Sequence, residues 1–252
     1  MALGGWTDDL IDLLLPSGCV SCRAWIPSVG AVRPEMVCAA CRIRMRPGPW
    51  PRCSRCHWPM GTGRAPDAEC RECADWSAGI VAARFAFELV PPVDDLVHGL
   101  KYEGWGQLAE LMGQAIARLD APVPGGRDAV VVPVPTTPGR LRARGYNQAE
   151  LLARRVVESK RWPLVQALAR RDGSGSQTTL NRDERHRNVR GAFHAAPEAI
   201  HVRGRGVLLV DDVLTTGATV SAAADTLCEA GASEVVVVTF ARAVPTRAQR
   251  VA

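Results

Sequence analysis

Two adjacent carboxylates, Asp211 and Asp212, stand between an apolar run and a turn rich in hydroxyl groups. In a parallel sheet, ligands bind where the strands end, and the first N–H groups of a helix attract an anion. The order of residues predicts a buried strand, two acids, a turn and then a helix. We therefore expect a sugar phosphate here, its hydroxyls on the acids and its phosphate on the turn. The turn residues expected to bind it are Val213, Leu214, Thr215, Thr216, Gly217, Ala218 and Thr219.

The residue types in this turn support the same chemistry. Threonine hydroxyls donate hydrogen bonds to phosphate oxygens, and Gly217 lets the backbone approach an anion closely. The alternative is that Asp211 and Asp212 cap a helix while the threonines satisfy the turn's own backbone. The whole string at residues 207–219, rather than the short Thr-Thr-Gly sequence within it, favours the phosphate site.

Metal chemistry is indicated by the cysteines, eight of which form four Cys-x-x-Cys pairs before residue 74. Two such pairs complete the tetrahedron of thiolates that Zn²⁺ prefers. Sequential pairing is the simplest, although interleaved pairing satisfies the same spacing. Redox chemistry or an iron–sulfur cluster is the alternative to zinc. We expect one or two structural zinc sites, with ligands among Cys19, Cys22, Cys38, Cys41, Cys53, Cys56, Cys70 and Cys73.

Among the tryptophans near these cysteines are Trp50, Trp58 and Trp76. Exposed tryptophans in a basic protein stack on the bases of single-stranded DNA. The alternative is that they form a small apolar core around the metal. The metal itself would stabilise this segment, which is rich in Pro and Gly.

Alternating strands and helices follow the cysteines and must position the two acids. Apolar runs predict strands at residues 80–89, 129–134, 207–210 and 234–240. Helical spacing of apolar residues predicts helices at residues 93–102, 107–119, 147–158 and 219–230, with Gly231 as a C-cap. This alternation predicts an α/β fold with a mostly parallel sheet and flanking helices.

The composition is that of a globular protein, since the 252 residues are 47% hydrophobic and 23% charged. No apolar run reaches the length of a membrane span, and residues 1–16 lack the basic leader of a secretory signal. Thiols kept reduced for metal binding fit the cytoplasm, which we expect as the location. Residues 140–192 carry 13 basic and 5 acidic side chains, a balance that attracts a polyanion.

The string at residues 207–219 resembles the phosphoribosyl diphosphate binding loop of type I phosphoribosyltransferases. Nearly the whole chain resembles the ComF family, whose members are associated with DNA uptake in competent bacteria and with the use of DNA. Beyond the cysteine pairs, the motifs that carry the resemblance lie at residues 9–15, 96–102, 132–135, 140–152, 185–189 and 230–232. It implies that residues 1–77 comprise a short helix at 9–15 followed by a cysteine-rich zinc-ribbon module, and that residues 78–252 form a phosphoribosyltransferase-like domain.

The resemblance also implies the rest of the site. A second loop at residues 134–140 would hold the diphosphate, with Arg140 and Arg144 as contacts, although a simple turn is a rival interpretation. A mobile catalytic loop is implied at residues 170–190, and from it we take Arg171 as a catalytic residue beside the two acids. A solvated helical face is the alternative for its arginines.

The acceptor side of the site is implied to be a hood that carries Lys101 and Tyr102. Mg²⁺ would accompany the diphosphate, because the leaving group needs cationic stabilisation. The resulting hypothesis is a phosphoribosyltransferase that binds phosphoribosyl diphosphate or a related phosphosugar and is linked to DNA uptake. Two alternatives remain open: a non-catalytic factor that binds single-stranded DNA and other competence proteins, and a sensor of a phosphorylated ligand.

Overall fold

In the computed structural model, the two acids lie in a four-stranded parallel sheet. The structure describes residues 18–26, 36–48, 50–60, 70–126, 128–171 and 191–244. The helix expected at residues 9–15 and residues 172–190 of the expected catalytic loop lie outside the described residues.

The described strands are β1 Ile80–Glu88, β2 Val130–Pro133, β3 Leu168–Arg170, β4 Phe193–Ala195, β5 Gly206–Leu214 and β6 Glu234–Arg242. The described α-helices are α1 Ala39–Arg44, α2 Val93–Tyr102, α3 Leu108–Ala117, α4 Pro138–Arg144, α5 Gln148–Lys160 and α6 Ala218–Glu229. A 3₁₀-helix spans Pro197–Val202. None of the described helices has the length and apolar character that a bilayer crossing needs.

The main sheet has the order β1-β6-β5-β2, and every neighbouring pair in it is parallel. Strands β3 and β4 form a separate antiparallel pair. The predicted class, an α/β fold with a mostly parallel sheet and flanking helices, is therefore confirmed. A parallel strand must be covered on both faces, which explains why β5 begins as a continuous apolar run.

Successive residues of β5 face two different cores, as the pleat of a strand requires. Val207 and Leu209 pack with α6 and with the cluster of cysteines at positions 53, 56, 70 and 73. Leu208 and Val210 face α2, α3 and α5, and the cysteines at positions 19 and 41 belong to that second core. Because the described cysteines share both cores with the sheet, the boundary at residues 77 and 78 stays a prediction.

The predicted helices agree with the structure to within two residues at each end. Strand β5 is longer than the expected run at residues 207–210, because its pairing with β6 continues as far as Leu214 opposite Arg242. Asp211 and Asp212 therefore lie within the strand rather than after it. Main-chain pairing to a neighbouring strand is a tertiary feature, which an apolar run does not reveal.

Candidate functional site

The acid pair, Asp211 and Asp212, lies near the carboxyl end of β5 and is buried. The main-chain N–H of Asp212 donates a hydrogen bond to Asp211 Oδ1 at 2.8 Å. Two carboxylates so close in a buried place cannot both ionise freely. Burial raises the pKa of Asp211 well above its usual range, and the neighbouring charge of Asp212 raises it further.

Lys101, in the last turn of α2, compensates the second acid. Its Nζ lies 2.6 Å from Asp212 Oδ2 and forms an ion pair with it. Burial acts to raise the pKa of Asp212, but the ammonium outweighs it and holds that pKa below the usual value. Burial acts to lower the pKa of Lys101, and Asp212 reverses this. The surroundings therefore favour the neutral form of Asp211 and the ionised form of Asp212, which is paired with Lys101.

The end of α2 is fixed by the residues that precede α5. The Tyr146 hydroxyl donates to the main-chain oxygen of Leu100 at 2.5 Å. Asn147 caps α5 by accepting from Ala149 N–H at 3.2 Å, and its amide donates to Val134 O at 3.1 Å. These contacts tie the helix that carries Lys101 to Val134, the residue that follows β2.

The phosphate turn, residues 215–219, connects β5 to α6. Its Gly217 is the N-cap of α6, with a left-handed φ of 87°, and has no side chain with which to cap the helix. Neither acid is the N-cap of α6, so the part of the alternative that made them helix caps is wrong, whereas the part in which the threonines bond to the turn's backbone holds for Thr216. The first turn of α6 contains no acidic residue. Its N–H groups and helix dipole therefore favour an anion at this end.

The residues expected around the turn differ in what they can offer a ligand. Thr215 is exposed, whereas Thr216 and Thr219 are half-buried. Thr216 Oγ1 accepts from Ala218 N–H at 3.4 Å, so it also shapes the turn. Leu214 and Ala218 are buried core residues, and Val213 is half-buried, so the contribution expected from these three is limited to their main chain.

Two of the expected arginines are placed by α4. Arg140 is exposed, and its N–H donates to the helix cap Thr137 Oγ1 at 3.3 Å. Arg144 donates to Gln148 Oε1, and its guanidinium carbon lies 5.6 Å from the ring of Tyr102. Tyr102 is 69% exposed. Arg144 and Tyr102 thus form a stacked pair beside the end of α2, the helix that carries Lys101.

Arg170, rather than the expected Arg171, lies close to the acid pair. Burial lowers the pKa of Arg170, the charge of Arg140 lowers it further, and the charge of Asp211 opposes both effects. Its guanidinium stacks 5.2 Å from the ring of Phe193, and among the described residues its Nε is buried without a hydrogen-bond partner. Arg171 is exposed on the next position of the chain, where its N–H donates to Ala192 O at 3.0 Å.

The sequence contained a signal for this choice. Residues two apart in a strand share a face. Arg170 therefore shares the face of buried Leu168 in β3, whereas the side chain of Arg171 belongs to the other face. The loop predicted at residues 170–190 leaves out this alternation of strand residues between two faces.

The cysteines form two groups of four. In each group the four Sγ atoms lie within 4.8 Å of one another. The first cluster contains Cys19, Cys22, Cys38 and Cys41, and the second contains Cys53, Cys56, Cys70 and Cys73. Sequential pairing is confirmed, and interleaved pairing is wrong.

The separations between sulfurs fit zinc. With Zn–S bonds of about 2.3 Å, the edge of a tetrahedron is roughly 3.8 Å. Cys22 and Cys38 Sγ lie 3.6 Å apart, and the distances from Cys56 to Cys70 and from Cys53 to Cys73 are 3.7 and 3.9 Å. Burial raises the pKa of the Cys70 thiol to about 11, so four thiolates there need a divalent cation to hold them. Each cluster could hold one zinc ion, with no coordination position left for catalysis.

Comparison with known proteins agrees with this geometry. A family model described as a phosphoribosyl transferase domain matches residues 108–251, more than half of the chain. A solved Bacillus subtilis glutamine phosphoribosylpyrophosphate amidotransferase, 24% identical, overlaps 52% of this chain and 25% of its own with a TM-score of 0.35, a likeness too low to support an inference.

Three curated relatives span nearly the whole chain. The DNA utilization protein YhgH of Escherichia coli K12 is 28% identical over 79% of this chain and 93% of its own. Competence protein F of Haemophilus influenzae is 25% identical over 89% of this chain and 96% of its own. Competence protein ComFC of Bacillus subtilis is 25% identical over 90% of this chain and 92% of its own. These matches confirm the ComF resemblance, and the chain belongs to the phosphoribosyl transferase domain family.

Proposed function

We propose that this protein binds phosphoribosyl diphosphate, or a related phosphosugar, and transfers its phosphoribosyl group to an acceptor. The observation that carries the proposal is the buried acid pair beside a helix N-terminus whose N-cap is a glycine, at the end of one parallel strand. An acid pair alone would bind a cation, and a helix N-terminus alone would bind any anion. Together they match a molecule that presents hydroxyl groups and a phosphate side by side.

The phosphate turn would hold the 5′-phosphate through main-chain N–H groups and the hydroxyls of Thr215 and Thr219. The acid pair would accept hydrogen bonds from the ribose hydroxyls. Because Lys101 already contacts Asp212 at 2.6 Å, the sugar has to share or displace that ammonium. We therefore propose that Lys101 is a gate on the ribose position and that its release brings a positive charge to the acceptor side.

Arg140 and Arg170 are proposed to bind the diphosphate. Arg140 lies close enough for its charge to lower the pKa of Arg170, and Asp211 is a nearby acid. Two such guanidinium groups are most stable with an anion between them. Mg²⁺ bound to the diphosphate oxygens would neutralise the leaving group, and oxygen ligands such as the acid pair fit that ion in type.

During transfer, positive charge develops on the ribose ring as the bond to the diphosphate breaks. An ionised Asp212 in a buried place stabilises this charge better than it would in water, because the local dielectric constant is low. Tyr102 and Arg144, beside the end of α2 that carries Lys101, are proposed to contact the acceptor.

Thiolate clusters need a reducing compartment, and we propose the cytoplasm as the location.

Release of diphosphate from phosphoribosyl diphosphate, with Mg²⁺ and a panel of acceptors, tests this function. Asp212→Asn removes the charge that faces the ribose, and we expect it to lower turnover by at least 100-fold. Glu158→Gln, an exposed acid on α5, is the matched control and should leave turnover unchanged. Binding without turnover by any acceptor would support the sensor alternative instead.

Single-stranded DNA binding is a second candidate function, supported by one surface feature. Trp50 is 73% exposed, and the guanidinium of Arg52 lies 4.8 Å from the centre of its ring. Such a pair offers a base a stacking platform and a positive charge. Trp58 and Trp76 pack against or within the core around the second cluster instead, as the alternative interpretation expected.

We expect Trp50→Ala to weaken single-stranded DNA binding without changing phosphosugar binding. If basic side chains contact the DNA backbone, the affinity for single-stranded DNA should fall as the salt concentration rises. A salt-independent affinity, or no effect of Trp50→Ala, would contradict a DNA contact at this surface.

A further inference from the structure

Trp76 joins the second cluster to the phosphate turn. It follows the last cysteine of that cluster by three residues, and its main-chain N–H donates to Cys73 O at 3.3 Å. Its indole N–H donates to Thr216 O at 3.0 Å, across 140 residues of sequence. The side chain is only 5% exposed. A residue attached to a metal ligand therefore holds the main chain of the turn proposed to bind the phosphate.

Contact between the indole and the turn is close. A Cβ atom placed on Gly217 would lie 2.2 Å from Trp76 Nε1, well inside van der Waals contact. Gly217 also has a φ of 87°, which residues with a side chain rarely adopt. The indole and the glycine thus fit each other, and a shift of the ring would move the turn.

A second connection lies one residue further along the chain. Ser77 N–H donates to Ser221 Oγ, in the first turns of α6, at 3.3 Å. The guanidinium of Arg55 donates to Cys73 O and Ser77 O at 2.9 and 2.8 Å. Because Arg55 lies between two ligands of the second cluster, it binds the segment around Trp76 to that cluster.

Arg242 completes the connection from the opposite side. It is fully buried at the end of β6, opposite Leu214, the residue that precedes the phosphate turn. Its guanidinium carbon lies 5.5 Å from the ring of Trp76, and it donates to Cys56 O. One cation therefore contacts the indole, a metal-ligand residue and the strand that leads into the turn.

We infer that Trp76 is a positioning residue that makes phosphosugar binding depend on the metal in the second cluster. The inference rests on the proposed function. With the cluster filled, the segment that carries Trp76 is fixed, and the turn is ready to bind a phosphate. Without the metal the segment loses its anchor, and the turn loses the donor at Thr216 O. Because coupling between two sites is reciprocal, phosphosugar binding must in turn strengthen metal binding at this cluster by the same factor.

The decisive variant is Trp76→Phe, which keeps an aromatic ring and removes the indole N–H. We expect its affinity for phosphoribosyl diphosphate with Mg²⁺ to fall roughly 3- to 10-fold, the weight of one ordinary hydrogen bond. Zinc content and circular dichroism should stay those of the wild type. Trp58→Phe is the matched control, because Trp58 also stacks on Arg242, at 4.9 Å, and should change affinity by less than twofold.

Zinc release provides a readout that does not depend on turnover. With a zinc-selective chelator, we expect one zinc ion per chain to leave several-fold more slowly when phosphoribosyl diphosphate and Mg²⁺ are present. In Trp76→Phe this protection should be lost, while release of the other ion is the same in both proteins. Equal protection in the variant would overturn the inference.

Amide hydrogen exchange separates this inference from the proposed function. Without any ligand, Trp76→Phe should exchange faster at residues 216–222 than either the wild type or Trp58→Phe, with little change elsewhere. If the wild type binds no phosphosugar but this local change appears, the proposed function fails and the positioning role stands. An unchanged turn, or a change spread evenly over the chain, overturns the positioning role.

Discussion

The two cysteine clusters have the same ligands and different neighbours. In the second cluster all four cysteines are buried, whereas in the first Cys22 is exposed and Cys38 is half-buried. The second cluster is bonded to the phosphate turn through Trp76. The first packs in the core formed with α2, α3 and α5 and is bonded to the start of α2, where Ser21 Oγ donates to Asp95 Oδ2 at 2.6 Å. Two sites with one coordination chemistry thus have different roles, because each role depends on what the cluster packs against.

The position of Lys101 on α2 sharpens this comparison. Asp95 lies six residues before Lys101, about 9 Å along the helix axis at 1.5 Å per residue. The first cluster is therefore connected to the acid pair through a helix, and the second is connected to the phosphate turn through one hydrogen bond and one ring. We expect damage to the second cluster to affect binding strongly and damage to the first to affect it weakly.

Loss of a ligand in each cluster should give the largest effect and the clearest contrast. Cys70→Ser removes a buried ligand, and structural zinc contributes on the order of 10 kcal/mol to small domains. We expect a large fall in melting temperature, loss of one zinc ion and at least tenfold weaker phosphosugar binding. Cys22→Ser, at the exposed ligand, should lose the other ion with a smaller fall in melting temperature and less than threefold weaker binding.

Zinc analysis, thermal unfolding and calorimetric titration of both variants would measure this contrast. If Cys22→Ser weakened binding as much as Cys70→Ser, the distinction between the clusters would be wrong.

Removal of the ammonium at the end of α2 should have the next largest effect. Lys101→Met leaves Asp212 buried without its counter-charge, which typically costs 3–5 kcal/mol, about half of an ordinary protein's stability. Lys160→Met, at the only other lysine, should change the free energy of unfolding by less than about 0.5 kcal/mol. Denaturant unfolding measures both. The double variant Lys101→Met with Asp212→Asn should recover much of the loss, and no recovery would contradict a charge effect.

Asp211→Asn tests the protonation state of the acid pair. The folded-state pKa of Asp211 is raised, so its contribution to stability is present below the unfolded pKa of about 3.9 and is lost as pH rises through the folded value. Asparagine does not titrate and avoids this loss. We expect the variant to be more stable than the wild type at pH 8 and the gain to shrink toward pH 4.

Thermal or denaturant unfolding across that pH range measures the difference. A constant difference between the two proteins at every pH would mean that Asp211 is not held neutral by the fold.

Substitution of a single serine in each cluster should have the smallest effect. Ser21→Ala removes the bond from the first cluster to α2 and should cost about 1 kcal/mol. Ser54→Ala changes an exposed serine between Cys53 and Cys56 of the second cluster and should cost less than about 0.5 kcal/mol. Phosphosugar affinity should stay within twofold in both variants, and a larger change in Ser21→Ala would show that α2 transmits more than we expect.

The sequence predicts which neighbouring residues share a chemical role, but it does not predict contacts between residues far apart in the chain. The cysteine spacing fixes which thiolates can share an ion, and the acids and threonines stand within one short string. The pleat of β3 also distinguishes Arg170 from Arg171, because alternate residues face one side. In contrast, the bond from Trp76 to Thr216 joins residues 140 positions apart, and no periodicity marks Trp76 as different from Trp58. The length of β5 likewise depends on β6, as its pairing at Leu214 and Arg242 shows.

The central claim is that a phosphorylated sugar binds between the acid pair and the phosphate turn. Calorimetric titration of the zinc-loaded protein with phosphoribosyl diphosphate and Mg²⁺ tests it most directly. We predict one site per chain, at least tenfold weaker binding in Asp212→Asn and unchanged binding in Glu158→Gln. Absence of binding in the wild type, or equal binding in Asp212→Asn, would contradict the claim.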